Sequence, residues 1–404
     1  MSLSPAHRLW RILPAGARRA GLARVTSLLA PHPERVPPAA RGGLVVAGEL
    51  SRASGLGESA RLMVASLQAM DVPTIPIDLG DAVSGSRVTV PIPPLGMPLV
   101  LHANSPMVPL TLLRAPRRLI AGRRVIGYWA WELPTMPASW RVGLDFVHEI
   151  WTLSRFSADA IRTLLPAGSP IVVRVVPPPV GLNPPVASAM TRADFGLPQD
   201  AVVTLLSFSL ASSFARKNPL AGIAAHRAAF GNRADRMLLV KVTHADQYAE
   251  DFARLRDAAA GLDNVRFETR TFGSADRHAL TACADIVLSL HRSEGLGLVP
   301  AEAMLLGVPV VATNWSATAE FMDAESAGLV GYRLIPAVDP RGVFEAPGAM
   351  WADAEVEDAA RLLRVFADDP ALRRRIGDAG RRKVAACLDD SGLRTAVESL
   401  GLTP

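Results

Sequence analysis

Only two cysteines, Cys283 and Cys387, occur in the 404 residues, far apart and without ligand-like spacing around either. That excludes a disulfide framework and a thiolate zinc site, and it points to a reducing cytoplasmic setting. Lysine is nearly as scarce: of 43 basic residues only Lys217, Lys241 and Lys383 are lysines. No run of about 18 apolar residues free of charge appears, and the N-terminus lacks the apolar core of a secretory leader. The expectation is a chain that neither spans a membrane nor leaves by that route. There is no short-period repeat and no low-complexity tract beyond a basic N-terminal arm.

What is present is core-forming material. Hydrophobic residues make up 49% of the chain, and the length suits two domains of about 150 residues each. The net charge of +5 is concentrated at one end, where residues 1–43 hold seven arginines against the single acid Glu34. The remainder is close to neutral, which argues against a nucleic-acid-binding body. The arm interleaves its arginines with Leu9, Trp10, Ile12, Leu13, Leu22, Val25, Leu28 and Leu29, interrupted by Pro14 and Gly16. It reads either as a solvated extension or as a peripheral contact with the inner face of an anionic membrane.

Periodicity predicts strands at 43–47, 74–77, 99–102, 125–129, 149–153 and 172–176, with a helix over 58–70 and helical patterns between several of the others. The proline-rich stretch Pro177 to Pro185 reads as a linker, after which strands recur at 202–208, 237–242, 265–268, 286–290 and 310–312. Strand and helix alternate in both halves. The division expected is a basic extension (1–42), a first Rossmann-like α/β/α lobe (43–180), a second (181–385) and a helical tail (386–404), with a cleft between the lobes.

The most informative segment is Arg292 to Thr313, RSEGLGLVPAEAMLLGVPVVAT. Pro300 suits the start of a helix, Gly307 its left-handed stop, and VVAT a short buried strand. Amides around Gly295, Gly297 and Leu298 would then lie at the positive end of a helix, where a diphosphate is favoured. Glu294 precedes the turn and Glu302 is expected in the first helical turn, so the two carboxylates can reach hydroxyls on either side of such a diphosphate. A second segment, Ser207 to Pro219, places Arg216 and Lys217 in the loop after an apolar strand, the end at which open α/β sheets bind ligands.

The filling EGLGLVPAE closely resembles the signature of family 4 glycosyltransferases, the retaining nucleotide-sugar enzymes of the GT-B fold, also grouped as glycosyl transferases group 1. The resemblance implies that Glu294 faces the transferred sugar, that Glu302 holds the ribose hydroxyls, and that the intervening amides meet the diphosphate. The SFSLASSFARKNP segment resembles the family's basic loop, implying that Lys217, with Arg216, neutralises the departing diphosphate. Many members carry an arginine six residues before that lysine, where this chain has Ala211. No Asp-x-Asp pair occurs, so no metal and no cofactor are expected.

Other candidates surround these motifs. Gly55 and Gly57 lie in SGLGESAR, which matches a dinucleotide-type G-x-G-x-x-A with Asp78 downstream, although Glu49 to Ser54 separate it from the preceding strand. It more closely resembles the flexible glycine loop with which family members face the cleft. Four of the seven tryptophans fall between positions 129 and 151; Trp129 and Trp151 suit the core, whereas Trp131 and Glu132 are acceptor-side candidates together with His102 and Asn104. His291 and Lys241, at strand ends, are candidate donor contacts. The resemblance implies a retaining transferase moving a hexose from a GDP- or UDP-sugar to a saccharide or lipid-linked acceptor. An epimerase or hydrolase of the same fold, and a non-catalytic glycan-assembly subunit, remain alternatives.

Overall fold

The computed structural model describes residues 15–52, 54–344 and 346–403. Six strands of the first lobe, β1 (Leu44–Gly48), β2 (Thr74–Asp78), β3 (Leu99–His102), β4 (Val125–Trp129), β5 (Glu149–Thr152) and β6 (Val172–Val175), form a parallel sheet in the order β2-β1-β3-β4-β5-β6. Six more, β7 (Val202–Ser209), β8 (Arg236–Thr243), β9 (Val265–Glu268), β10 (Ile286–Ser289), β11 (Val310–Thr313) and β12 (Gly328–Val330), form a second parallel sheet, β12-β11-β10-β7-β8-β9. Central strands such as β1, β3, β4 and β11 are buried at every residue, which is why they read as continuous apolar runs rather than alternating ones.

Strand order reverses between β1 and β3 in the first sheet and between β7 and β10 in the second. Such switch points open a crevice at the carboxyl ends of the strands. Arg216 and Lys217, expected in a loop, end a one-turn helix (Phe214–Lys217) in the connection after β7, and the loop after β10 carries Glu294, so the topology brings the two motifs together.

One apolar cluster passes through both lobes, joining Val46 and Leu67 to Val203, Val287 and Ala301, and reaching Val384, Leu393 and Val397. The last three sit on the Pro370–Cys387 and Ser391–Ser399 helices, which return to the first lobe. There the Gly181 amide donates to the Leu388 carbonyl at 2.9 Å, and a Cβ on Gly392 would stand 3.1 Å from Pro177.

The structure departs from the sequence reading in several places, among them the strand β12, which was not expected. The helix predicted from Glu58 begins at Gly55, because Ser54 caps it by accepting the Gly57 amide at 3.0 Å. A helix spans Ala15–Leu29 in the basic arm, and residues 1–14 of that arm lie outside the described residues. Finally, an antiparallel pair, β13 (Tyr332–Pro336) with β14 (Met350–Ala354), projects from the second lobe and carries the 337–349 arm. No helix among the described residues is long and apolar enough to cross a membrane.

Candidate active site

The loop after β10 enters the Leu298–Leu305 helix through Gly297, whose φ of +95° and neighbour Thr318, 2.4 Å from where a Cβ would stand, leave room only for glycine. Gly295 is constrained from the other lobe, since a Cβ there would meet the Trp131 carbonyl at 2.9 Å. Gly307 has φ +77°, the left-handed stop expected after the helix. Glu302 lies in the second helical turn, not the first, because the helix begins two residues before Pro300. Its carboxylate faces Arg277 at 3.4 Å and His278 at 3.8 Å.

Glu294 is 7% exposed, and both of its oxygens are engaged. Lys217 Nζ donates to Oε1, and Arg216 Nη1 donates to Oε2 at 3.0 Å and to the Ser293 carbonyl at 2.9 Å. Arg216 Nη2 also stands 3.8 Å from Glu132 of the first lobe, so one guanidinium links carboxylates from both sides of the cleft. Burial by itself would raise the Glu294 pKa, but Lys217 and Arg216 outweigh it and hold the group at about 2. Burial lowers Lys217 against the pull of Glu294. Burial raises Glu132, with the attraction of Arg216 opposing the shift and the charge of Glu294 adding to it. The result is a compact group of two cations and two carboxylates at the N-terminal end of a helix, at the switch point of the second sheet.

The first lobe grips this loop through its own helix Arg155–Arg162. Ser154 donates to the Gly295 carbonyl at 2.7 Å, and Ser157 donates to the Trp131 carbonyl at 2.6 Å. In return the Glu320 carboxylate of the second lobe accepts the amides of Arg155 (3.0 Å) and Phe156 (2.8 Å), capping that helix across the cleft. Replacing Glu320 by alanine is expected to cost about 1 kcal/mol in a denaturant titration, whereas glutamine, which keeps an acceptor, should cost less.

Several other candidates have structural partners. His291 is fully buried, with Nδ1 at 3.0 Å from Ser289 Oγ and Nε2 at 3.1 Å from Thr318 Oγ1, and burial lowers its pKa to about 4. Lys241 is 3% exposed and donates to the carbonyls of Arg270 (2.8 Å) and Val242 (3.1 Å). His102 is buried and stacked on Tyr128 at 4.1 Å, with its pKa lowered by burial to about 3. Asn104 accepts the Ala130 amide at 2.8 Å and so holds the turn that carries Trp131 and Glu132.

Gly55 and Gly57 form the first turn of the Gly55–Ala69 helix instead of a free loop. A side chain at 57 would strike the Glu49 carbonyl at 2.4 Å, whereas Gly55 has no neighbour within 4 Å of a built Cβ. Trp131 lies at the lobe boundary but is only 2% exposed, packed against Trp140 (5.0 Å between centroids) and Phe344 (5.6 Å). Trp129 and Trp151 are buried core residues, as the sequence suggested. The sequence reading missed Phe344 and Asp339 entirely, because the arm that carries them has neither helical nor strand periodicity.

Residues 225–353 match the family of glycosyl transferases group 1. The motif resemblance is to the same group. A D-inositol 3-phosphate glycosyltransferase from Saccharomonospora viridis is 32% identical over 209 residues, covering 50% of this chain and 46% of that protein. The chain spans about half the length of the curated relatives it matches. Among solved structures, sucrose-phosphate synthase from Thermosynechococcus elongatus superposes with a TM-score of 0.62 at 16% identity, over 89% of this chain and 98% of the other. Anabaena HepE, solved in complex with UDP and glucose, gives 0.60 at 13% identity, over 89% and 99%. The two six-stranded parallel lobes thus form the GT-B fold that the motif resemblance implied.

Proposed function

We propose that this protein is a retaining, family 4-type glycosyltransferase that moves a hexose from a UDP- or GDP-sugar to a saccharide or lipid-linked acceptor. The observation that carries this reading is the pairing of Glu294 with Lys217 and Arg216 beside the N-terminus of the Leu298–Leu305 helix. A diphosphate entering there meets the helix amides and competes with Glu294 for the two cations. The carboxylate is then freed for the sugar, where it orients the ring and stabilises positive charge developing at the anomeric carbon.

Cleavage of the bond from the anomeric carbon to the diphosphate oxygen sends its electron pair onto the diphosphate, where Lys217 and Arg216 stabilise it. The acceptor hydroxyl attacks from the same face and passes its proton to the departing phosphate oxygen. No protein nucleophile and no metal ion are required. Glu132, on the opposite wall 3.8 Å from Arg216, would hold acceptor hydroxyls in this reading. Support for peripheral contact of the arm with an anionic bilayer comes from exposed Leu22, Val25, Leu28 and Leu29 on the Ala15–Leu29 helix.

The test is turnover of a panel of UDP-, GDP- and ADP-sugars with metal chelated, reading release of the nucleoside diphosphate and the anomeric configuration of the product. One donor should be turned over with retention, and Glu302→Ala should raise its KM about tenfold with a smaller change in kcat. Inversion, or loss of activity with the chelator, would refute the mechanism. Absence of turnover on every donor would refute the assignment.

A further inference from the structure

The arm at 337–349 reaches the Arg216 cluster from outside both motif segments. Asp339 is 3% exposed, and its carboxylate accepts the amides of Val343 (3.0 Å) and Phe344 (3.1 Å) and the hydroxyl of Ser213 (3.3 Å). Ser213 Oγ in turn accepts the Arg216 amide at 3.2 Å. Ser213 has φ +112°, a region that residues with side chains adopt only when their surroundings hold them there. Phe344 places its ring 5.0 Å from the Arg216 guanidinium carbon, and the same ring packs on Trp131. One buried carboxylate therefore fixes Arg216 at both ends, its backbone through Ser213 and its head group through Phe344. The Arg216 Nε is buried with no hydrogen-bond partner among the described residues.

A guanidinium is a planar fork that gains from phosphate only when its plane is already set. We propose that Asp339 is a positioning residue that sets Arg216 for the donor diphosphate, an inference that rests on the nucleotide-sugar reading above. The 337–349 arm is then a working part of the donor site, although it contributes no group to the reaction itself.

Calorimetric binding of UDP, GDP, UMP and GMP to the full chain tests this, comparing the wild type with Asp339→Ala, Phe344→Leu, Arg216→Ala and the Arg216→Ala/Asp339→Ala double variant. For the diphosphate that binds, Asp339→Ala should weaken affinity about tenfold while the matching monophosphate changes by no more than about twofold, and the loss should vanish in the Arg216→Ala background. Phe344→Leu, which leaves the Asp339 hydrogen bonds in place, should show the same selectivity with a smaller loss, and it carries the test if Asp339→Ala does not fold. Additive losses in the double variant, or equal weakening of mono- and diphosphate, would overturn the proposal while leaving the nucleotide site intact. Failure of wild-type protein to bind either UDP or GDP would overturn the functional reading and this inference with it.

Discussion

Replacing Glu294 by glutamine is expected to reduce turnover at least a hundredfold, because a neutral amide cannot stabilise cationic character at the anomeric carbon; about 3–4 kcal/mol is the scale for one preorganised electrostatic group. The substitution also perturbs folding. Glu294 is the shared partner of buried Arg216 and half-buried Lys217, and removing one member of a buried ion pair costs about 3–5 kcal/mol when the other is left uncompensated. Glutamine keeps an oxygen acceptor, and Arg216 keeps Glu132 nearby, so this variant should fold where Glu294→Ala is strongly destabilised. Kinetics and thermal melting measured together separate the two effects: a folded Glu294→Gln protein with little turnover is the expected pair of results. A folded variant turning over near the wild-type rate would remove Glu294 from the chemistry.

Lys217→Ala is expected to show a comparable fall in kcat, on the order of 10²- to 10³-fold, with a milder effect on stability. Its ammonium is the more exposed of the two cations, with 21% of the side chain accessible against 5% for Arg216. After its removal Glu294 still holds Arg216 at 3.0 Å, so no buried carboxylate is stranded. On the proposed mechanism the loss is a point charge beside the departing diphosphate, and because that charge matters most as the leaving group develops, kcat should fall further than KM rises. Lysine-to-arginine exchange should not restore the rate, since the rigid fork would have to occupy space already taken by Arg216 and Glu294. Steady-state kinetics on the preferred donor check both statements.

The legible parts of this protein are those with a periodic or motif-like signature. Buried parallel strands such as Val125–Trp129 and Leu99–His102 read directly as apolar runs, because helices cover both faces of the sheets. The sequence places Arg216, Lys217 and Glu294 each after a strand without foretelling their direct contact; the β7/β10 switch point is the physical reason they meet. Other placements depended on tertiary contacts that no local pattern encodes. Gly57 looked like a mobile loop glycine, yet it is small because the Glu49 carbonyl lies against it. His102 looked like a cleft residue, but the ring stacks inward on Tyr128. His291 and Lys241 sit at strand ends as expected, and their polar atoms are taken by neighbouring hydroxyls and carbonyls. The hairpin arm with Asp339 and Phe344 carried no signal, since its relation to Arg216 exists only once β13 and β14 have paired.

The central claim is that Lys217, Arg216 and the Leu298–Leu305 helix N-terminus receive a sugar-linked diphosphate and release Glu294 to the sugar. A structure of the protein with its preferred nucleotide sugar bound tests this most directly. The account predicts diphosphate oxygens within hydrogen-bonding distance of Lys217 Nζ and the Leu298 amide, with the Lys217 to Glu294 contact broken and Glu294 turned to the sugar. A nucleotide sugar bound away from these residues, or bound here with the Lys217 to Glu294 contact unchanged, would contradict it.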